Sequence, residues 1–205
     1  MLGYGSLIHP GSRKSTVPSA TRSWPIDVKG LQRCWNSPSG PDEISTTFLG
    51  AYEKQDSSLN GVAFFATDGE VNALIRRESG YLPKHVPLSR VRWWGAPPPV
   101  LPETILVFCF SGNRQPTQSY PILQSYVDLC LSGCLAVDRS LHSSDCEFSR
   151  SFLRGTAGWS THWVNDRNQP RIFYRHSPKI SRIDGLLSVE LSNAFFSSEQ
   201  NDGAN

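Results

Sequence analysis

The chain has 205 residues, a formal net charge of +2 at pH 7 and a sequence pI of about 8.3. This length is sufficient for one domain with a substantial core. The near balance of charge argues against a dedicated nucleic-acid binder, which would carry a strongly basic face. No apolar run is long enough to span a membrane, and no signal peptide is predicted. We therefore expect no nucleic-acid partner and no membrane partner.

The cysteines bear on the compartment and on one possible metal site. There are five of them, an odd number, which argues against a disulfide scaffold and favours a reducing, cytoplasmic location. Cys130, Cys134, His142 and Cys146 have the spacing C-x3-C-x7-H-x3-C, which a Cys3His zinc site could use. However, Cys130 and Cys134 also lie on the apolar stripe of a predicted helix, where free cysteines are ordinary small core residues. We favour the core interpretation and keep a zinc-stabilised interaction module as an alternative.

The first part of the chain predicts strands and turns. Residues 1–8 predict a short strand that runs into a glycine loop, and His9–Pro25 is a polar connection without clear periodicity. Ile26–Trp35 predicts a strand interrupted at Gly30, and Ser37–Glu43 predicts a turn.

Two further segments, Ser45–Glu53 and Asn60–Thr67, are rich in β-branched and aromatic residues and predict strands. The intervening "KQDSS" has the composition of a turn. The sequence therefore predicts a hairpin at this point.

The hydrophobic period changes at Thr67–Tyr81, which predicts a short helix. Asp68 can cap its start, and Gly80 is typical of the residue that ends a helix. An apolar stripe with i, i+3, i+4 spacing is formed by Val71, Leu74 and Ile75.

Beyond Tyr81 the pattern returns to strands and then to helices. "HVPLSRVRWW" and "TILVFCF" predict two strands, and "YPILQSYVDLCLSGCLAVD" (Tyr120–Asp138) predicts a long amphipathic helix. A weaker helix is expected over Asp145–Arg154, and Gly158–Arg175 is an aromatic-rich loop or strand region.

This order of elements predicts an α+β fold, with a small mixed β-barrel or a strongly curved sheet flanked by helices. We expect a single domain over residues 1–191. Residues 192–205 are polar, and we expect them to form a disordered tail.

The opening loop "GYGSL" (Gly3–Leu7) does not match the common nucleophile or phosphate motifs. It is not a G-x-S-x-G elbow, and it lacks both the P-loop and the dinucleotide-binding patterns. Gly3 and Gly5 could adopt positive φ and allow a close approach to the backbone. Successive N–H groups in such a turn form a concave anion site, so we expect a small carboxylate ligand.

Glu78 is the candidate general base. It lies near the end of the predicted helix, where the helix dipole disfavours a carboxylate, and just past the apolar stripe. Both influences raise a carboxyl pKa, as a base working near neutral pH requires. Alternatively, Glu78 is a surface residue beside Arg76 and Arg77, which themselves could bind a substrate carboxylate or simply form a solvated helix face.

The ordered set of motifs resembles the γ-glutamylcyclotransferase superfamily, either its ChaC-like branch or the broader γ-glutamylcyclotransferase-like group. The resemblance covers residues 1–81, although only two residues precede Gly3, where that family has a fuller first strand. It is carried by four stretches: "GYGSL", "LQRCW" (Leu31–Trp35), "NGVAF" (Asn60–Phe64) and "RRESGY" (Arg76–Tyr81). Each motif is weak alone, and their order and spacing make the set more specific.

The resemblance implies an enzyme that releases 5-oxoproline from a small-molecule γ-glutamyl amide, without metal or cofactor. The α-amine of the substrate attacks its own γ-carbonyl, and proximity supplies much of the rate enhancement. Glutathione, γ-glutamyl amino acids and γ-glutamyl amines all remain possible substrates. The alternative is a non-catalytic binding domain on the same fold.

The resemblance also implies roles for particular residues. Glu78 would be the general base, and Ser6 would donate a hydrogen bond and would not act as a nucleophile. The substrate-binding residues would be Tyr4, Gly5, Ser6, Leu7 and, from the long helix, Tyr126. For Tyr126 the alternative is a core tyrosine on an amphipathic helix.

Overall fold

The structure is a computed structural model that describes residues 1–39, 45–172 and 179–199. In these ranges the strands are β1 (Leu2–Gly3), β2 (Trp24–Ser39), β3 (Thr46–Ala63), β4 (Leu82–Pro87), β5 (Val91–Trp93), β6 (Thr104–Cys109), β7 (Ile122–Leu123), β8 (Thr156–Ala157) and β9 (Trp163–Val164). The helices are α1 (Pro10–Thr16), α2 (Asp68–Arg77), α3 (Gln124–Ser140), α4 (Glu147–Arg154) and α5 (Ile180–Glu199). Short 3₁₀ turns cover Ser6–Ile8 and Leu88–Arg90.

The strands form one main sheet and two small ones. The main sheet has the antiparallel order β1-β3-β2-β5, and β8 pairs with β2 in parallel. β4 pairs with β6 antiparallel, and β7 pairs with β9 in parallel. The α+β prediction is confirmed, and within the described ranges the strands form open sheets, not a closed barrel.

A large bulge interrupts the pairing of the long strands β2 and β3. Lys29 pairs with Ser58 and Leu31 pairs with Glu53, so residues 54–57 lie opposite Gly30 alone. Gly30 has φ +76°, a left-handed conformation that favours glycine. The predicted hairpin at "KQDSS" is therefore wrong, because pairing with β2 on both sides keeps β3 continuous and turns the polar segment into a bulge.

Hydrophobic clusters cover both faces of this sheet. One packs β2 and β3 against α3 and α4 and includes Trp35, Leu49, Leu131, Phe148 and Phe152. The other packs the sheet against β6 and includes Ile26, Val28, Leu59, Ile105 and Val107. The predicted long helix is confirmed as α3 and the weaker one as α4.

α1 lies inside His9–Pro25, the segment whose sequence predicts only a polar connection. His9 caps it, because its Nδ1 accepts hydrogen bonds from the backbone N–H groups of Gly11 and Ser12, and Pro10 occupies the first turn. Burial lowers the pKa of His9 to about 4, so the ring is neutral and can accept. Periodicity could not reveal this helix, because "PGSRKST" has no apolar stripe.

α2 confirms the predicted short helix, with a different cap. Thr67, not Asp68, is the N-cap, and Thr67 and Glu70 form a capping box. Leu74 is fully buried under the helix, and Glu78 takes the C-cap position.

The last third of the chain holds α3 in place. The Asp166 carboxylate accepts hydrogen bonds from Ser125 N at 2.8 Å and Ser125 Oγ at 2.6 Å, so it caps the start of α3 from a distant loop. Arg167 forms ion pairs with Asp128 of α3 and Asp184 of α5, each at 2.7 Å.

Some predictions fall on residues at the edges of the described ranges. β2 extends to Ser39, through the first part of the predicted turn, and the rest of that turn, residues 40–43, lies outside the described residues. The backbone of α5 continues to Glu199, into the segment expected to be a disordered tail, and residues 200–205 lie outside the described residues. No helix in the described ranges is long and apolar enough to cross a membrane.

Candidate active site

A cavity of about 220 Å³ opens where the loop after β1, the end of α2, and strands β3 and β6 meet the start of α3. All six residues predicted for the site line it: Tyr4, Gly5, Ser6, Leu7, Glu78 and Tyr126. The structure therefore brings together residues as far apart in the sequence as Tyr4 and Tyr126.

Several other residues line the cavity that were not predicted from the sequence. These are Leu2, Ser39, Phe48, Leu49, Ser79, Tyr81 and Phe108, together with Arg77, which it had left open. Tyr81 belongs to the "RRESGY" motif, so its sequence position did offer a signal that it lines the cavity. Phe48 and Phe108 are strand aromatics with no local signal of a site, because the same pattern is typical of any half-buried strand.

Two buried arginines fix the opening loop from behind. Arg33 Nη1 donates to Tyr4 O at 3.1 Å, and Arg13 Nη1 donates to Leu7 O at 3.0 Å. A trans peptide places its C=O and N–H on opposite sides, so the Gly5 N–H that follows Tyr4 O points away from Arg33. The Tyr4 hydroxyl donates to Phe108 O at 2.6 Å, which ties the same loop to β6.

The two loop glycines serve close approach and not a left-handed turn. The expectation of positive φ is wrong, because Gly5 has φ −126° and Gly3 is not among the positive-φ glycines. A Cβ on Gly5 would lie 3.0 Å from the Tyr126 hydroxyl, and one on Gly3 would lie 2.7 Å from Leu7 Cβ. A side chain at either position would crowd the wall of the cavity.

Glu78 is largely buried at the end of α2. Its side chain is 20% exposed, and burial raises its pKa above the ordinary 4.5, while the positive charge of Arg77 partly opposes the rise. Arg77 Nε lies 3.4 Å from Glu78 Oε1. A carboxylate of this kind is suited to accept a proton inside the cavity.

Arg77 links α2 to the opening loop and to α1. Its Nη2 donates to Ser6 Oγ at 3.1 Å and to Ser12 Oγ at 3.0 Å, and its Nη1 donates to Thr16 Oγ1 at 2.8 Å. Because the Ser6 hydroxyl accepts from a guanidinium, its own proton is left to donate elsewhere. A guanidinium also cannot remove that proton, so this contact does not activate Ser6 as a nucleophile.

Two tyrosines complete the wall. Tyr126 is buried, and its ring packs edge-on against Phe48 at 5.0 Å and Trp35 at 5.8 Å, so it belongs to the core and lines the cavity at once. The Tyr81 hydroxyl donates to Leu49 O at 3.0 Å. Burial raises the pKa of both phenols, so both remain neutral near pH 7.

The cysteines do not come together as the alternative zinc site would require. Cys130 and Cys134 are buried in α3, and burial raises the pKa of Cys130 to about 12, which keeps it a neutral thiol. Arg182 Nη2 donates to Cys146 Sγ at 2.9 Å. Over the described residues no three His, Cys, Asp or Glu side chains come together as a metal site would need, so the zinc interpretation has no geometric support.

Comparison with solved structures identifies proteins that have a similar fold. A protein described as a gamma-glutamyl cyclotransferase matches with a TM-score of 0.53 and 15% identity, over 89% of this chain and 95% of its own. A human protein described as uncharacterized matches with a TM-score of 0.50 and 15% identity, over the same shares of the two chains. No family model and no curated protein matches the sequence. The chain therefore has the γ-glutamylcyclotransferase-like fold.

Proposed function

We propose that the protein converts a γ-glutamyl amide to 5-oxoproline and a free amine. The observation that carries the proposal is the placement of Glu78, a largely buried carboxyl with a raised pKa, in the same cavity as the Tyr4–Leu7 loop. The γ-glutamylcyclotransferase-like fold supports it.

In the proposed reaction, Glu78 accepts a proton from the α-ammonium group of the substrate. The freed amine attacks the γ-carbonyl carbon, so one C–N bond forms and the original amide C–N bond breaks. The two protons that the α-nitrogen loses end on the leaving nitrogen, which departs as an ammonium ion, and no water is consumed. The N–H groups at the start of the Ser6–Ile8 turn lack intrahelical acceptors and, with the Ser6 hydroxyl, can stabilise the developing oxyanion.

Release of 5-oxoproline tests this proposal directly. Purified protein is incubated with glutathione, a set of γ-glutamyl dipeptides and a γ-glutamyl amine, and the product is quantified by chromatography. We expect product from at least one compound. Folded protein that releases none of it would favour the non-catalytic binding domain, which a binding measurement with the same compounds would then identify.

Ser6→Ala should lower kcat/KM about tenfold without abolishing turnover, because one neutral hydrogen-bond donor is lost. Steady-state 5-oxoproline release measures this, with Ser57→Ala, outside the cavity lining, as the matched control. Complete loss of turnover with unchanged substrate binding would contradict the donor role and indicate a nucleophilic serine.

The pH dependence of kcat/KM should follow the ionisation of the Glu78 carboxyl. Because burial raises its pKa, the acid limb of kcat/KM should lie above pH 4.5, with activity rising as the carboxyl ionises. The charge of Arg77 lowers that pKa, so Arg77→Gln should move the limb to higher pH. Exposed Arg22→Gln is the control and should leave the limb in place. A limb that does not move in Arg77→Gln would show that another group controls it.

A further inference from the structure

A cavity of about 380 Å³ lies where the start of α2 meets the first residues of β2 and strands β5 and β6. It is larger than the candidate active site, and among the described residues the two have no lining residue in common. The proposed reaction therefore gives this cavity no role. Apolar and aromatic pockets of this size are the usual sites at which proteins bind small molecules.

Aromatic side chains dominate the lining of this cavity. Trp24 and Trp93 are half-buried, and Phe65 is 49% exposed although its ring packs edge-on against Trp24, with the ring centroids 5.4 Å apart. Pro98, buried in the loop before β6, and Val71 of α2 add aliphatic surface. Rings that the protein covers only in part keep faces and edges free to pack against a ring of a ligand.

The lining offers no partner to a charged ligand. Among the residues that the structure describes, it contains no Asp, Glu, Lys or Arg side chain, and its polar side chains are His85 and Thr104. These two already bond to each other, with His85 Nδ1 3.1 Å from Thr104 Oγ1. The terminal amino group of Met1 donates to Phe64 O at 2.9 Å, and burial lowers its pKa to about 6, so it is largely neutral at pH 8. A charged group of a ligand would lose its hydration here without gaining an ion pair.

We propose that this cavity binds a neutral, planar aromatic compound with two fused rings. The lining disfavours charge because it holds no counter-charge, and it favours a ring because Trp24, Phe65 and Trp93 present aromatic surface. Apolar cavities of about 150 Å³ already hold a benzene-sized molecule, so a cavity of about 380 Å³ has room for a second ring and a short substituent. The proposal concerns binding alone and does not depend on the formation of 5-oxoproline.

Three indole compounds of similar size test the charge preference with the full chain at pH 8. Tryptophol is neutral, tryptamine carries a cation and indole-3-acetate carries an anion, and NMR titration gives the dissociation constant of each. Tryptophol should bind about tenfold more tightly than either charged compound, since only those two must bury an unpaired charge.

A second pair of compounds tests the preference for an aromatic ring. We expect 2-phenylethanol to bind about threefold more tightly than 2-cyclohexylethanol. The two molecules have the same shape and hydroxyl group, but only the aromatic ring gains edge and face contacts with Trp24, Phe65 and Trp93.

Two variants of the lining locate the bound compound. Phe65→Ala removes a half-exposed ring and should weaken tryptophol binding about tenfold. Leu82→Ala is the matched control, because Leu82 is another exposed apolar side chain that does not line the cavity, and it should leave the dissociation constant unchanged. Val71→Phe adds a ring to the lining and should abolish binding. Thermal unfolding checks that each variant is folded, and Phe65→Ala alone decides if Val71→Phe is not.

The results test the site and its ligand class separately. Tryptophol binding that is weakened by Phe65→Ala and unchanged by Leu82→Ala would support the site. Equal or tighter binding of tryptamine or indole-3-acetate would overturn the neutral ligand class, and equal binding of the two substituted ethanols would overturn the preference for an aromatic ring. Binding that survives both lining variants would show that the compound lies elsewhere, and no binding of any compound would overturn the site. None of these results bears on 5-oxoproline release, which is measured separately.

Discussion

Glu78→Gln should reduce 5-oxoproline release about a thousandfold, within the range that a positioned general base contributes. Glutamine keeps the shape of the side chain and its hydrogen-bonding oxygen, but it cannot take the proton from the substrate ammonium. The measurement is kcat/KM for the best compound of the substrate set. A matched control is Asp68→Asn, the same change at an exposed position in the first turn of α2. It should leave kcat/KM within twofold of wild type.

The raised pKa of Glu78 also predicts the direction in which Glu78→Gln changes the stability of the protein relative to wild type. Burial raises the pKa of Glu78, so the folded state disfavours its ionised form. Its contribution to stability is therefore largest at low pH and is lost as the pH rises through the folded pKa. At pH 7 Glu78→Gln should unfold at the same temperature as wild type or a higher one. Near wild-type turnover in this well-folded variant would remove Glu78 from the mechanism.

Arg33→Met should destabilise the protein by about 3–5 kcal/mol, because it strips donors from several buried acceptors at once. Arg33 is fully buried, and its guanidinium lies 3.8 Å from the Phe152 ring centroid. Its hydrogen-bond acceptors are Thr156 Oγ1, Tyr4 O, Asn60 O, Asn60 Oδ1 and Phe152 O, at 2.7 to 3.1 Å. Methionine fills most of the same volume but can satisfy none of these acceptors.

Thermal and urea unfolding would measure the loss, with exposed Arg22→Met as the control, expected within about 0.5 kcal/mol of wild type. If Arg33→Met does not fold, Thr156→Val removes the acceptor of the 2.7 Å bond from Arg33 Nε together with the 2.6 Å bond that Thr156 Oγ1 donates to Phe152 O, and it should cost about 1–2 kcal/mol. Unfolding of Arg33→Met at the wild-type urea concentration would show that this buried network adds no net stability.

The residues of the candidate site that could be chosen from the sequence are those with a strong local pattern. The "GYGSL" loop and Glu78 stand out because unusual residues occur at strand and helix ends, and both line the observed cavity. The amphipathic period of α3 predicted that helix correctly. By contrast, the hairpin at "KQDSS" was wrong, since a turn-like composition carries no information about the strand that pairs across it.

The features that the sequence did not predict either have no local pattern or depend on contacts between residues far apart in the chain. α1 has no apolar stripe to reveal it, and Asp166 reaches α3 from 41 residues away.

The sequence by itself determined the α+β class, the opening loop, the short helix that ends at Glu78 and the long helix that bears Tyr126. Periodicity and end-capping are local, so they can be read from neighbouring residues. Only the tertiary structure decided that the sheets of the described ranges stay open and that Arg77 joins Ser6, Ser12 and Glu78. Those features arise where separate elements meet, and burial, which raises the pKa of Glu78, exists only once they have met.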